Sequence, residues 1–90
     1  MAVPKDYEDS LDPRARAIIE FLRDNTEKGQ TVMDIYGGIY SEDEKSAHLR
    51  ESAGVKEVFQ EIQRWLDEFR QQGHVKSKMV STSILFSLVE

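Results

Sequence analysis

The residues best equipped for recognition chemistry lie between Lys56 and Lys78. Lys56, Gln60, Gln63 and Arg64 recur at helical spacing in a run whose apolar residues hold the opposite face. A glutamine carboxamide donates and accepts side by side, which suits the edge of adenine, and the arginine fork suits guanine. On a helix lying in a duplex groove, Lys56, Gln60 and Arg64 would reach base edges, with Gln63 at the margin. The competing reading is a solvated face laced by pairs such as Arg64 with Glu68 and Glu61 with Arg64, each contributing roughly a few tenths of a kcal/mol. Glu57 sits among the candidates and would repel phosphate.

Two further groups have binding chemistry. Lys76 and Lys78 are spaced to project from one face of a strand, either to grip phosphate or to protect an edge strand from aggregation. Tyr36 and Tyr40 are four residues apart, which puts both on one helical face. They could offer a partner protein contact area at low entropic cost, or pack onto a neighbouring helix.

Nothing assembles a catalytic or metal centre. His48 and His74 are far apart, fit no metal-ligand spacing, and have no cysteine or nucleophile elbow to work with; both are expected at the surface. Glu42-Asp43-Glu44 lacks the spaced oxygen ligands and turn glycine of a calcium loop. Gly37-Gly38 is followed by neither Lys-Ser nor Lys-Thr, so it makes no phosphate-cradling loop. The expectation is a protein that is not an enzyme and uses neither cofactor nor metal.

These side chains need a scaffold, and the apolar periodicity supplies one. Asp12-Pro13 signals a helix start through an N-cap acid and a first-turn proline. The helix should run to about Asn25, with Ala15, Ile18, Ile19 and Leu22 inward, Phe21 at the margin, and Arg16, Glu20, Arg23 and Asp24 outward. Thr31 with Asp34 reads as a capping pair for a short second helix. Gly37-Gly38 should end that helix or let another element approach its backbone. Ser41 with Glu44 is a second capping box, for a polar helix from Glu42 to about Glu51 with Ala47 and Leu49 nearest the core. After a break at Ser52-Ala53-Gly54, the stripe Val55, Val58, Phe59, Ile62, Leu66 and Phe69, with Trp65 on its flank, predicts a helix from Val55 to Gln72 that stops at Gly73. Strands are expected over His74 to Val80 and Ile84 to Val89, joined at Ser81-Thr82-Ser83. Residues 1–11 show no period and read as a mobile arm, with Tyr7 and Leu11 as its anchors.

Ninety residues with 39% hydrophobic content make one domain, here residues 12–90, and the absence of cysteine removes disulfides and thiolate metal sites. The longest apolar run, Ile84-Leu85-Phe86, falls far short of the ~20 residues that span a bilayer. A soluble, cytoplasmic protein without membrane contact is expected. The net charge of -5 weighs against an unspecialised nucleic-acid binder. Its distribution matters more: from Gly73 to Val89 the only formal charges are Lys76 and Lys78, whereas acids gather at Asp6 to Asp12 and at Glu42 to Glu44.

The apolar pattern Val58-x-x-x-Ile62-x-x-x-Leu66, followed by Phe69, Gly73 and Val75, resembles the passage from recognition helix to wing in winged-helix transcription regulators. The resemblance is topological and covers roughly residues 12–90. It implies a mainly α fold of three or four helices with a C-terminal two-stranded wing. It also implies a small DNA-binding regulator that works as a homodimer, since one acidic module binds few phosphates alone. One departure stands out: Ser41 to Gly54 lies where a compact helix-turn-helix has about 3 to 4 residues. Winged-helix domains also serve as protein-interaction modules, which is the alternative, with Tyr36, Tyr40 and the acidic 41–51 segment as the contact surface.

Overall fold

The helix-start chemistry of the sequence is realised bond by bond in the computed structural model, which describes residues 3–89. Asp12 caps α2 (Pro13–Asp24), its carboxylate accepting from the Ala15 N–H at 2.9 Å. Thr31 and Asp34 close a reciprocal capping box on α3 (Val32–Ile39), and Ser41 and Glu44 do the same for α4 (Glu42–Arg50). Each box satisfies amides that the first helical turn leaves without partners. Ala15, Ile18, Ile19 and Leu22 of α2 are buried. α3 runs through Gly37-Gly38 rather than ending there, because the ring of Phe21 lies where a Gly38 side chain would begin.

α5 (Ser52–Gln71) starts three residues before the expected Val55. The Ser52-Ala53-Gly54 segment contains no proline, and a first turn tolerates all three residues, with the Gly54 N–H already bonded to the Glu51 carbonyl at 2.8 Å. The stretch from Ser41 to Gly54 is therefore an inserted helix with a one-residue joint, Glu51, to the next. Val58, Ile62, Leu66 and Phe69 are buried along α5, and Trp65 stacks on Phe69 with ring centroids 5.7 Å apart. Past its end Gly73 takes φ +82°, and the His74 N–H reaches the Phe69 carbonyl at 2.8 Å while the Gly73 N–H reaches that of Arg70 at 3.0 Å. This is the paired bonding of a glycine-terminated helix.

The chain ends in an antiparallel hairpin of β1 (Val75–Val80) and β2 (Ser83–Leu88), with Met79 opposite Ile84 as the alternation predicts. The turn is two residues, Ser81-Thr82, with Ser81 at φ 57°. Val75, Phe86 and Leu88 join the core at the base of the hairpin. β1 lies along α5, whereas β2 packs chiefly on α2, and not on the Val58, Ile62 and Trp65 side as its apolar pattern alone would suggest. A contact with no local sequence signal explains this. Gln30, just before α3, exchanges both backbone hydrogen bonds with Phe86 at 2.8 Å, so β2 is paired on both sides.

The expected class, mainly helical with a terminal two-stranded hairpin, is what the fold shows, with one helix more than anticipated. Among the described residues there are five, because Lys5–Ser10 forms α1 where an aperiodic arm was expected. Val3, Tyr7 and Leu11, four residues apart, pack against the core; three residues are too few to stand out as a period. Met1 and Ala2 of that arm, and Glu90 of the expected domain, lie outside the described residues.

α1 is fastened by Glu8, which takes two hydrogen bonds from the Arg23 guanidinium, at 3.1 and 2.8 Å. Arg16 adds bonds to the carbonyls of Asp9 and Leu11. The Arg23 hydrogen bonds hold the Glu8 carboxyl below its usual range, against the opposing pull of burial. A lowered native pKa stabilises the fold above the ordinary glutamate value, about 4.3. That contribution is lost as pH falls below this value and through the lowered one. Glu8→Gln should accordingly flatten the decline of stability on going from neutral pH to about pH 3, measured by denaturant midpoints at each pH. Identical wild-type and variant profiles would show that the pair does not couple α1 to folding.

Candidate nucleic-acid and protein interfaces

The candidate residues fall on three different surfaces. Lys56, Gln60 and Gln63 are exposed and, at about 100° per residue, lie within one narrow sector of α5 on the flank of the buried stripe. Further along the same sector are Asp67 and Arg70, which pair with each other at 3.4 Å. This side of α5 faces a groove of about 490 Å³ whose other walls are the start of α3, at Thr31 and Met33, and the hairpin tip, at Thr82, Ser83 and Ile84.

Arg64 lies around the helix, toward Glu57, Glu61 and Glu68, in a second groove with Tyr7, Leu11 and Trp65. Neither ion pair expected for a solvated face forms. Glu61 is taken by Arg14 from α2 at 2.7 Å, and Glu68 accepts from the Gln72 carboxamide at 2.9 Å. Adjacency along one helix ranked Arg64 with Gln60, but α1, which the sequence did not reveal, packs against Arg64's side.

Lys76 and Lys78 occupy the face of the hairpin turned away from α5. Ser77 between them accepts a hydrogen bond from Arg70 at 3.3 Å, and strand alternation sends its neighbours to the other side. There they border a shallow depression over Gly29, Val80 and Leu85. The hairpin therefore separates the two lysines from Lys56, Gln60 and Gln63, and no continuous basic strip joins them.

Tyr36 and Tyr40 are buried, at 8% and 9% exposure, so neither ring offers a partner its surface. They pack at 5.3 Å from each other, with Phe59 edge-on to Tyr36 at 5.1 Å. The Arg14 guanidinium stands 5.9 Å from the centre of the Tyr40 ring, and burial pushes the Tyr40 hydroxyl pKa up. The Tyr36 hydroxyl meets His48 Nδ1 at 3.1 Å. His48 is thus half-buried and not a surface residue, whereas Leu49 is 71% exposed and Ala47 is exposed, the reverse of the expected order. α4 buries no residue fully and attaches to the domain through this aromatic and imidazole cluster. His74 is likewise half-buried, its ring 4.8 Å from that of Tyr7.

The chain matches no protein-family model, no curated protein and no solved structure. Its site must therefore be read from its own geometry. Among the described residues no group of histidine and acidic side chains could hold a metal ion, and no helix is long and apolar enough to cross a membrane.

The exposure of one set of apolar side chains was not legible in the sequence. Met33 and Met79 are 70% and 69% exposed, and Ile84 is 45% exposed. Met33 and Ile84 border the α5 groove, and Met79 is Ile84's cross-strand neighbour on the same face. The available signal was strand length: the apolar alternation of the hairpin continues beyond the core that its base covers.

Proposed function

We propose that this chain is a winged-helix domain that binds duplex DNA through α5 and the tip of the hairpin, acting as a homodimeric regulator. The observation that carries the reading is the exposed stripe Lys56, Gln60 and Gln63, whose last residue lines the groove beside Thr82 and Ser83, with the one acid further along, Asp67, paired to Arg70. The glutamines supply the paired donor and acceptor that adenine requires. The hydroxyls of the tip supply phosphate contacts, which position the protein without specifying sequence. The departure at Ser41 to Gly54 is compatible with this, since α4 is anchored through His48 to Tyr36 and Tyr40, and none of its residues lines the groove. Lys76 and Lys78 do not belong to this surface, and Arg64 stands at its margin, beside Gln60.

So small a cationic set gives weak, shallowly salt-dependent affinity per protomer, and doubling it is the reason to propose a dimer. The test is duplex binding measured from about 50 mM salt upward, beside a measurement of oligomeric state. Lys56→Ala should weaken all sequences alike and reduce the salt slope by about 1, while Gln60→Ala should change sequence preference. Lys76→Glu with Lys78→Glu should leave duplex affinity little changed.

A second reading has its own support. Met33, Met79 and Ile84 form an exposed apolar margin at the mouth of the same groove, as a protein-interaction module would present. If the wild-type protein shows no salt-sensitive affinity for duplex DNA, the interaction module takes the place of the regulator.

A further inference from the structure

We propose that the free edge and outer face of the hairpin bind an acidic extended segment of another protein, which adds a strand beside β1. This surface lies across the hairpin from the α5 groove and does not depend on DNA binding there.

The β1 edge is the uninterrupted one. Every residue of β1 beyond Val75 is exposed, and among the described residues no backbone hydrogen bond from Lys76–Val80 leaves the hairpin. The opposite edge, on β2, is interrupted at Phe86 by the bridge to Gln30. β1 therefore offers a row of unpaired amides and carbonyls to an incoming strand.

Charge selects the occupant. Lys76 and Lys78 are exposed, share one face, and make no ion pair among the described residues. No acid occurs between Gly73 and Val89, although the chain as a whole carries -5. A second copy pairing antiparallel about Ser77 would set each Lys76 opposite the other copy's Lys78, and like charges directly opposite destabilise a sheet. A strand with acids at alternate positions places those acids over Lys76 and Lys78. Its intervening side chains then fall on the other face, beside Met79, which is 69% exposed. The preferred ligand alternates acidic and apolar residues.

A synthetic peptide alternating glutamate and valine, titrated into the full chain at low salt, should protect β1 backbone amides from hydrogen exchange and leave those of α2 unchanged. Its lysine–valine counterpart should protect nothing. Lys76→Glu with Lys78→Glu should weaken glutamate–valine binding by about tenfold or more, equivalent to about 1.4 kcal/mol. Lys76→Arg with Lys78→Arg should retain it. The exposed lysines contribute little to folding, so unchanged denaturation midpoints are expected to accompany both results. The proposal is overturned if the glutamate–valine peptide leaves β1 unprotected, or if both peptides protect it equally. It is equally overturned if duplex DNA, and not the peptide, protects β1 in a manner abolished by the glutamate pair, since the face would then be a phosphate grip.

Discussion

Truncating Phe69 to alanine is expected to remove about 3–5 kcal/mol of stability. A domain of this size holds about 5–15 kcal/mol in all, so much of the margin would go. Phe69 is fully buried, stacks with Trp65, and meets the edge of Tyr7 at 6.3 Å. It thus joins the long helix to α1, and its carbonyl accepts the bond that ends α5. The cavity would open where α5 meets α1, and collapse to fill it would disturb both. Ile62→Ala should cost about 2–5 kcal/mol for the same reason. Urea midpoints that stay put in both variants would mean that this stripe is not the core.

The second large effect distinguishes two adjacent glycines. Gly37→Ala should stabilise by up to about 1 kcal/mol, because the position is helical and nothing lies within reach of a new methyl. Gly38→Ala should destabilise by about 1–3 kcal/mol, since its methyl would enter the ring of Phe21. In a Phe21→Ala background the Gly38→Ala change should reverse sign, leaving only the helix-propensity gain. A double-mutant cycle reads this coupling directly. Equal effects at the two glycines would show that α2 does not approach α3 at this point.

How much of this could be read from the sequence depended on how local each cause was. The caps at Asp12, Thr31 and Ser41 are three-residue chemistry, and the structure realises each. The stripe from Val58 to Phe69 and the stop at Gly73 are helix periodicity, again local. α1 was missed because Tyr7 is its one apolar residue, with Val3 and Leu11 only flanking it, and a single residue shows no period. Gln30 gave no sign of pairing with Phe86, because one residue cannot display the alternation that identifies a strand.

The recognition residues divide the same way. That Lys56, Gln60 and Gln63 share a side follows from the helical period. That the hairpin sets Lys76 and Lys78 apart from them depends on which sheet face meets α5, and the Arg70 to Ser77 contact is tertiary. The inward turn of His48 was equally hidden. Leu49 is the more apolar neighbour, yet the hydroxyl of Tyr36 gives the imidazole a partner that leucine could not use.

The bridge between Gln30 and Phe86 bears on how the chain acquires its shape. α2 through α5 can each begin from contacts between near neighbours, which form fast. This bridge is expected to form after those local contacts, because closing so long a loop costs entropy before any bond repays it. Docking of the hairpin onto α2 is then expected to be the slower step, which refolding kinetics of a Phe86→Ala variant would check. A chain whose residues 83–88 have not yet docked would hold folded helices and an unsealed core.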